Sequence, residues 1–188
     1  MRITGGEWRG RTLVAPRGEA TRPSTDRLRA AVFNILEARG APIRGAAVLD
    51  LFAGTGSLGL EALSRGAARA TFVEGAGRAV AVLARNVSSL DVPDDRVRIV
   101  RAAVEASLDR LGREGAAFGT VFLDPPYGAG LAASVVTRLA GLGLVAPGGF
   151  VVAEHATDEA MPAAAGDLVE VVRRAYGRTA ITVYRRSA

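Results

Sequence analysis

Two loops of this 188-residue chain hold residue types at spacings that chemistry can use. The first is Asp50-Leu51-Phe52-Ala53-Gly54-Thr55-Gly56-Ser57-Leu58-Gly59, in which Gly54, Gly56 and Gly59 end an apolar run and open a helical stretch. Glycines so spaced let the backbone come close to a ligand. Glu74, about 20 residues on, falls where an acid would take ribose hydroxyls. Asp50 narrows the ligand further. A dinucleotide brings a pyrophosphate to such a loop, where a carboxylate would repel it, whereas S-adenosylmethionine brings an ammonium and a sulfonium and no phosphate. The bland alternative is a tight strand-to-helix turn, but two acids at the ends of neighbouring strands favour a ligand site.

The second loop is Asp124-Pro125-Pro126-Tyr127. Its two prolines stiffen the chain and remove two N–H donors, leaving carbonyl oxygens to face a ligand. An exocyclic amine of a nucleobase is a poor nucleophile because its lone pair is delocalised into the ring. If the Asp124 carboxylate and the Pro125 carbonyl each accept one of its N–H bonds, the nitrogen is drawn toward tetrahedral geometry. Tyr127 offers a flat face on which a turned-out base can stack. The competing reading is a rigid turn with a capping Asp.

Such loops need elements that hold them. Residues 48–52, 70–74, 97–100, 120–124 and 150–154 are short apolar runs that read as strands covered on both faces, with helical stretches around 57–65, 77–90, 104–112 and 131–142 between them. That order predicts an α/β fold with a parallel, doubly wound sheet. Residues 168–175 and 179–185, joined by Tyr176-Gly177-Arg178, predict an antiparallel hairpin at its edge, seven strands in all. Residues 1–20 read as a basic β-hairpin arm and 21–188 as the domain that carries the chemistry. At their junction Pro23 disfavours helix at Arg22, and Ser24 or Thr25 can cap a helix bearing Leu28, Val32, Ile35 and Leu36.

Composition excludes several classes. There is no cysteine and one histidine, so thiolate zinc sites, disulfides and Cys nucleophiles are impossible, and no metal site is expected. No apolar run approaches the length of a membrane span, and the first residues lack the apolar core of a signal peptide, so no membrane partner and a cytoplasmic location are expected. The 24 basic residues are all arginine. Residues 1–44 hold 9 of them against 4 acids, which is the whole net charge of +5. A positive segment on a neutral body fits a polyanion, and Arg9, Arg11 and Arg22 are the candidate substrate-binding cations. Trp8 could stack on RNA or pack on the body, and His155 reads as structural.

Taken together, the Asp-Leu-Phe-Ala-Gly-Thr-Gly and Asp-Pro-Pro-Tyr motifs resemble those of S-adenosylmethionine-dependent methyltransferases acting on a base amino group. Arg2-Ile3-Thr4-Gly5-Gly6, Arg9-Gly10-Arg11, Thr21-Arg22-Pro23-Ser24-Thr25-Asp26-Arg27, Phe33-Asn34-Ile35-Leu36 and Leu60-Glu61-Ala62-Leu63-Ser64-Arg65-Gly66-Ala67 are similar to the RsmD family over essentially the whole chain. The resemblance implies a Rossmann-like class I methyltransferase fold. It also implies methylation of guanine N2 in 16S rRNA, at guanine 966 in conventional numbering, within the 30S subunit or its assembly intermediate. Asp50, Phe52, Ala53, Gly54, Thr55, Gly56, Glu74 and Ala103 then fall to the cofactor, and Asp124, Pro125, Pro126 and Tyr127 to catalysis. After the third strand many relatives carry Asn or Asp for the cofactor's adenine, whereas this chain has Arg101-Ala102-Ala103.

Three other readings stand beside this one. An adenine-N6 DNA methyltransferase uses the same motif, though the short chain offers no separate DNA-reading domain. A nicotinamide-dependent oxidoreductase conflicts with Asp50 and with residues 124–127. A non-catalytic RNA-binding module would use the arm and keep the sheet as scaffold.

Overall fold

A computed structural model describes residues 1–15, 26–126 and 130–187. Five strands run parallel: β1 (Ala47–Leu51), β2 (Arg69–Glu74), β3 (Val97–Arg101), β4 (Phe118–Leu123) and β5 (Val145–Ala156). β6 (Ala164–Ala165), β7 (Leu168–Tyr176) and β8 (Thr179–Arg186) complete one sheet of order β3-β2-β1-β4-β5-β8-β7-β6, with β8, β7 and β6 antiparallel to their neighbours.

Alternation along each strand sorts its side chains into two cores. Val48, Phe72, Phe122 and Val152 belong to one, together with side chains of α1 (Asp26–Ala38), α2 (Ser57–Ser64) and α3 (Gly77–Ser89). Leu49, Val73, Leu123 and Ala153 belong to the other, with α4 (Val104–Arg113) and α5 (Leu131–Gly141). The doubly wound expectation therefore holds. The strand count is eight rather than seven, because two-residue β6, which pairs Ala164 and Ala165 with Val169 and Leu168, is too short to carry a periodicity. Among the described residues no helix is long and apolar enough to cross a membrane.

The N-terminal segment forms a short hairpin: the Ile3 N–H donates to the Arg11 carbonyl at 3.0 Å, the Gly10 N–H to the Ile3 carbonyl at 2.9 Å and the Leu13 N–H to the Met1 carbonyl at 2.9 Å. Arg2 and Thr12 form a single antiparallel bridge, while Gly6 and Gly10, both at positive φ, fold the intervening residues into turns. Its tip is bound to the body: the Glu7 N–H donates to the Ser64 carbonyl at 2.8 Å and the Trp8 N–H to Ser64 Oγ at 2.9 Å. A Cβ on Gly6 would lie 1.9 Å from that carbonyl, so only glycine fits. Ile3, Trp8 and Leu13 are buried in the same core as α1 and α2, which settles Trp8 as a packing residue. The proposed caps Ser24 and Thr25, and Arg22 and Pro23, lie outside the described residues.

Glu61 fastens this layer. Its carboxylate is fully buried and accepts the Thr4 N–H at 2.7 Å, Thr4 Oγ1 at 2.8 Å, Arg65 Nε at 2.9 Å and Arg29 Nε at 3.4 Å. Arg29, also fully buried, donates to the Arg2 carbonyl and to Asp26, while its Nη1 has no partner among the described residues. Truncating one member of a buried pair strands the other charge. We expect Glu61→Ala to lower stability by about 3–5 kcal/mol in urea titration, well beyond what an exposed pair such as Arg98–Glu114 would cost on Glu114→Ala.

Candidate functional site

β1 lies between β2 and β4, so Leu51 faces Val73 on one side and Leu123 on the other. Chain order reverses here, and the crevice beyond the carboxyl ends of these strands is where open α/β sheets bind ligands. The Ala53 N–H donates to the Val73 carbonyl at 3.1 Å, and the Asp124 N–H reaches the Leu51 carbonyl at 3.5 Å. The glycine loop, Glu74 and Asp124 are thereby gathered on strands about 5 Å apart. Alternation puts Asp50, Glu74, Asp124 and the buried Glu154 at the end of β5 on one face of the sheet, that of α1 to α3.

Two glycines of the loop answer to packing. A Cβ on Gly56 would lie 2.2 Å from Leu83, and one on Gly59 would lie 2.3 Å from the Phe72 ring. Gly54 differs: its φ is +54° and the space where a Cβ would sit is nearly empty. Phe52 also has positive φ, at 55°, a strained setting for a bulky residue and of the kind that accumulates at ligand sites. Ala53 is buried, and Phe52 and Thr55 are half-buried.

Glu74 holds the loop open. One carboxylate oxygen accepts the Gly54 N–H at 2.9 Å and the other the Ala76 N–H at 2.7 Å. Each keeps a further lone pair, so the carboxylate is fixed in place and can still accept two hydroxyls. Asp50 is almost entirely buried and accepts the Gly59 N–H at 2.9 Å. Burial raises its pKa to about 7, with the nearby Glu74 charge adding to the rise and the Gly59 bond opposing it. The pair suits a ligand that brings positive charge to Asp50 and vicinal hydroxyls to Glu74.

On the other side of the crevice Asp124 is half-buried, Pro125 buried and Pro126 exposed. Tyr127 lies outside the described residues, as does Arg22. Ala103 is exposed at the start of α4, where its carbonyl accepts the Ser107 N–H at 3.1 Å and Ser107 Oγ at 2.9 Å. Arg9 is exposed; Arg11, also exposed, donates to the Ser89 carbonyl at the end of α3. His155 lies within β5, bonded to Thr182 Oγ1 and the Ala156 carbonyl at 2.8 Å each, and is structural. A groove of about 780 Å³ at α3 and β3, lined by Val87, Asp91, Asp94 and Ile99 among others, contains none of the candidate residues.

Sequence reasoning missed Glu61, Asn86 and Glu154. Glu61 had a signal, a carboxylate among Leu58, Leu60, Ala62 and Leu63 on a helix apolar all round, which demands buried partners. Asn86, fully buried on α3, interrupts that helix's apolar stripe in the same way.

Sheet order, loops and acids together define the class I methyltransferase type of doubly wound fold. The family model described as Conserved hypothetical protein 95 matches residues 1–185, and the chain belongs to this, the RsmD, family. It is 37% identical over 190 residues to Ribosomal RNA small subunit methyltransferase D of Escherichia coli (strain K12), covering 100% of this chain and 91% of that protein. The solved structure of hypothetical protein TTHA0928 from Thermus thermophilus superposes with a TM-score of 0.82 at 37% identity, covering 97% of this chain and 98% of that one. At the level of fold alone, SMU.776 complexed with SAH matches with a TM-score of 0.69 at 14% identity, over 86% of this chain and 49% of that one.

Because the folded protein holds the Asp50 proton up to about pH 7 while the unfolded chain releases it near 3.8, stability falls as pH rises through that window. Asp50→Asn keeps an acceptor for Gly59 and removes the charge. Its expected effect is a gain of about 1 kcal/mol or more at pH 8, a rise in Tm of roughly 2–4 °C, that fades below pH 4. Thermal unfolding across pH checks it, and the same variant is expected to lose affinity for a cationic ligand.

Proposed function

We propose that the chain transfers a methyl group from S-adenosylmethionine to the N2 amine of a guanine in 16S rRNA, guanine 966 in conventional numbering, within the 30S subunit or its assembly intermediate. The observation that carries this reading is the placement of Asp124 and Pro125 at the end of β4, directly beside the strand whose loop presents Asp50 and Gly54. The relative in Escherichia coli is named for small-subunit rRNA methylation, which supports the substrate class.

The site passes a test of fit. A buried carboxylate whose charge is opposed by desolvation and by a second acid is relieved by a cation, and the open space at Gly54 leaves room for close approach. Asp50, Phe52, Ala53, Gly54, Thr55 and Gly56 would hold the cofactor's methionine end, Glu74 its ribose and the backbone around Ala103 its adenine. When bound, S-adenosylmethionine supplies an electrophilic methyl on a good leaving group.

The chain's own residues prepare the nucleophile. The Asp124 carboxylate and the Pro125 carbonyl each accept one N2–H of the guanine, which withdraws the nitrogen lone pair from the ring and points it across the crevice. Pro125 and Pro126 keep these acceptors in place without offering competing donors. Asp124 takes up the proton that the nitrogen releases on methylation, so a strong base is unnecessary. Tyr127 stacks on the extruded base. Arg9, Arg11 and Arg22 neutralise RNA phosphates, and they position the substrate without reading its sequence.

Incubation with S-adenosylmethionine and unmethylated 30S subunits, free 16S rRNA or duplex DNA, followed by nucleoside mass spectrometry, tests the reading. Expected is N2-methylguanosine from the ribosomal substrates, with the rate falling about 100-fold or more in Asp124→Ala. N6-methyldeoxyadenosine from DNA, or an unchanged rate in Asp124→Ala, would contradict it. Arg9→Ala with Arg22→Ala should weaken RNA binding and lower its salt slope by about 1 per arginine, while leaving affinity for S-adenosylhomocysteine intact. Equal loss of both would make these residues structural.

A further inference from the structure

The chemistry above makes no use of Asn86, yet its side chain is fully buried and fully engaged. Oδ1 accepts the Val14 N–H at 2.8 Å. Nδ2 donates to the Val14 carbonyl at 3.1 Å and to the Thr55 carbonyl at 3.0 Å. One amide thus closes both backbone groups of Val14, as a neighbouring strand would, and spends its second N–H on the cofactor loop. None of the three groups belongs to α3.

Thr55 sits between Gly54 and Gly56, both at positive φ and both without a Cβ to restrain them. β2 holds the loop through the Val73 carbonyl on the Ala53 N–H and through Glu74 on the Gly54 N–H, and α3 holds it through Asn86 on the Thr55 carbonyl. The Asn86 amide is shared with the N-terminal segment, which lies against α3 through Val14 and through Arg11 on the Ser89 carbonyl. Whatever fixes residues 11–14 fixes the Asn86 amide, and with it the Thr55 carbonyl.

We infer that Asn86 is a positioning residue that joins the cofactor loop to the RNA-docking segment, so that RNA and cofactor each bind more tightly in the presence of the other. The inference rests on the function proposed above. RNA held on the N-terminal arginines orders Val14, and the cofactor then meets a loop whose ordering cost is already met. Linkage makes the effect reciprocal.

Equilibrium dialysis of radiolabelled S-adenosylhomocysteine, with and without saturating unmethylated 30S subunits, reads the coupling. The wild-type protein should bind the probe about 5-fold or more tightly when the subunit is present. Asn86→Ala removes both pins from Thr55 and Val14, and should weaken the probe alone as well as abolish the tightening. Val14→Pro is the selective variant, because Val14 is 48% exposed and the change breaks the Oδ1 half of its two-bond link to Asn86 while leaving the Nδ2 bonds to the Val14 and Thr55 carbonyls in place. It should bind the probe alone within about 2-fold of wild type while its tightening by 30S subunits falls below about 2-fold. Full tightening in Val14→Pro, or none in a wild-type protein that methylates 30S subunits, overturns the coupling and leaves the proposed activity standing. A wild-type protein that transfers no methyl group to 30S subunits brings down both.

Discussion

Everything at the site depends on β1 being paired in parallel on both sides. A parallel strand cannot be reached by a tight turn, so each neighbour requires a crossover helix. Right-handed crossovers that leave β1 in opposite directions place their helices on opposite faces. The crevice beyond Leu51 is the gap those crossovers cannot fill. Into it open the loop after β1, the acid that ends β2 and the loop after β4, and their backbones are locked to one another by the Ala53 to Val73 and Asp124 to Leu51 bonds. Asp50 and Asp124 are far apart in sequence, yet the pairing of β1 with β4 sets their separation.

A second layer of packing seats the N-terminal segment on the body. The chain's entire positive excess lies in residues 1–44, whose basic hairpin arm is too small to bury a core of its own. Instead, Ile3, Trp8 and Leu13 enter the core beneath α1 and α2, Glu61 and Ser64 bind the backbone of residues 4–8, and Asn86 binds that of Val14. Arg2, Arg9 and Arg11 remain exposed.

Legibility followed interaction range. The strands and helices were readable because each apolar run is buried on both faces of the sheet or along one stripe of a helix, and the motifs were readable because their chemistry is local to a loop. The N-terminal hairpin was readable from its alternation and its glycines, while its seating on the body was not, because the partners that hold it, Ser64 Oγ and the Glu61 carboxylate, lie some 56 positions away. Gly56 and Gly59 fit the ligand-loop spacing, but their missing side chains make room for Leu83 and Phe72. That role is visible only once α3 and β2 are packed. Asn86 left the faintest trace, one polar residue on an otherwise ordinary amphipathic helix.

The proposed function has cofactor and target amine meet over the carboxyl ends of β1 and β4, and a crystal structure of the protein with S-adenosylhomocysteine tests that meeting point most directly. The expected result has both ribose hydroxyls on the two Glu74 oxygens, the amino group toward Asp50, and the sulfur facing Asp124 and Pro125 across a space wide enough for one amine. Density for the ligand in the groove between α3 and β3, or at the crevice with its ribose away from Glu74, would contradict it.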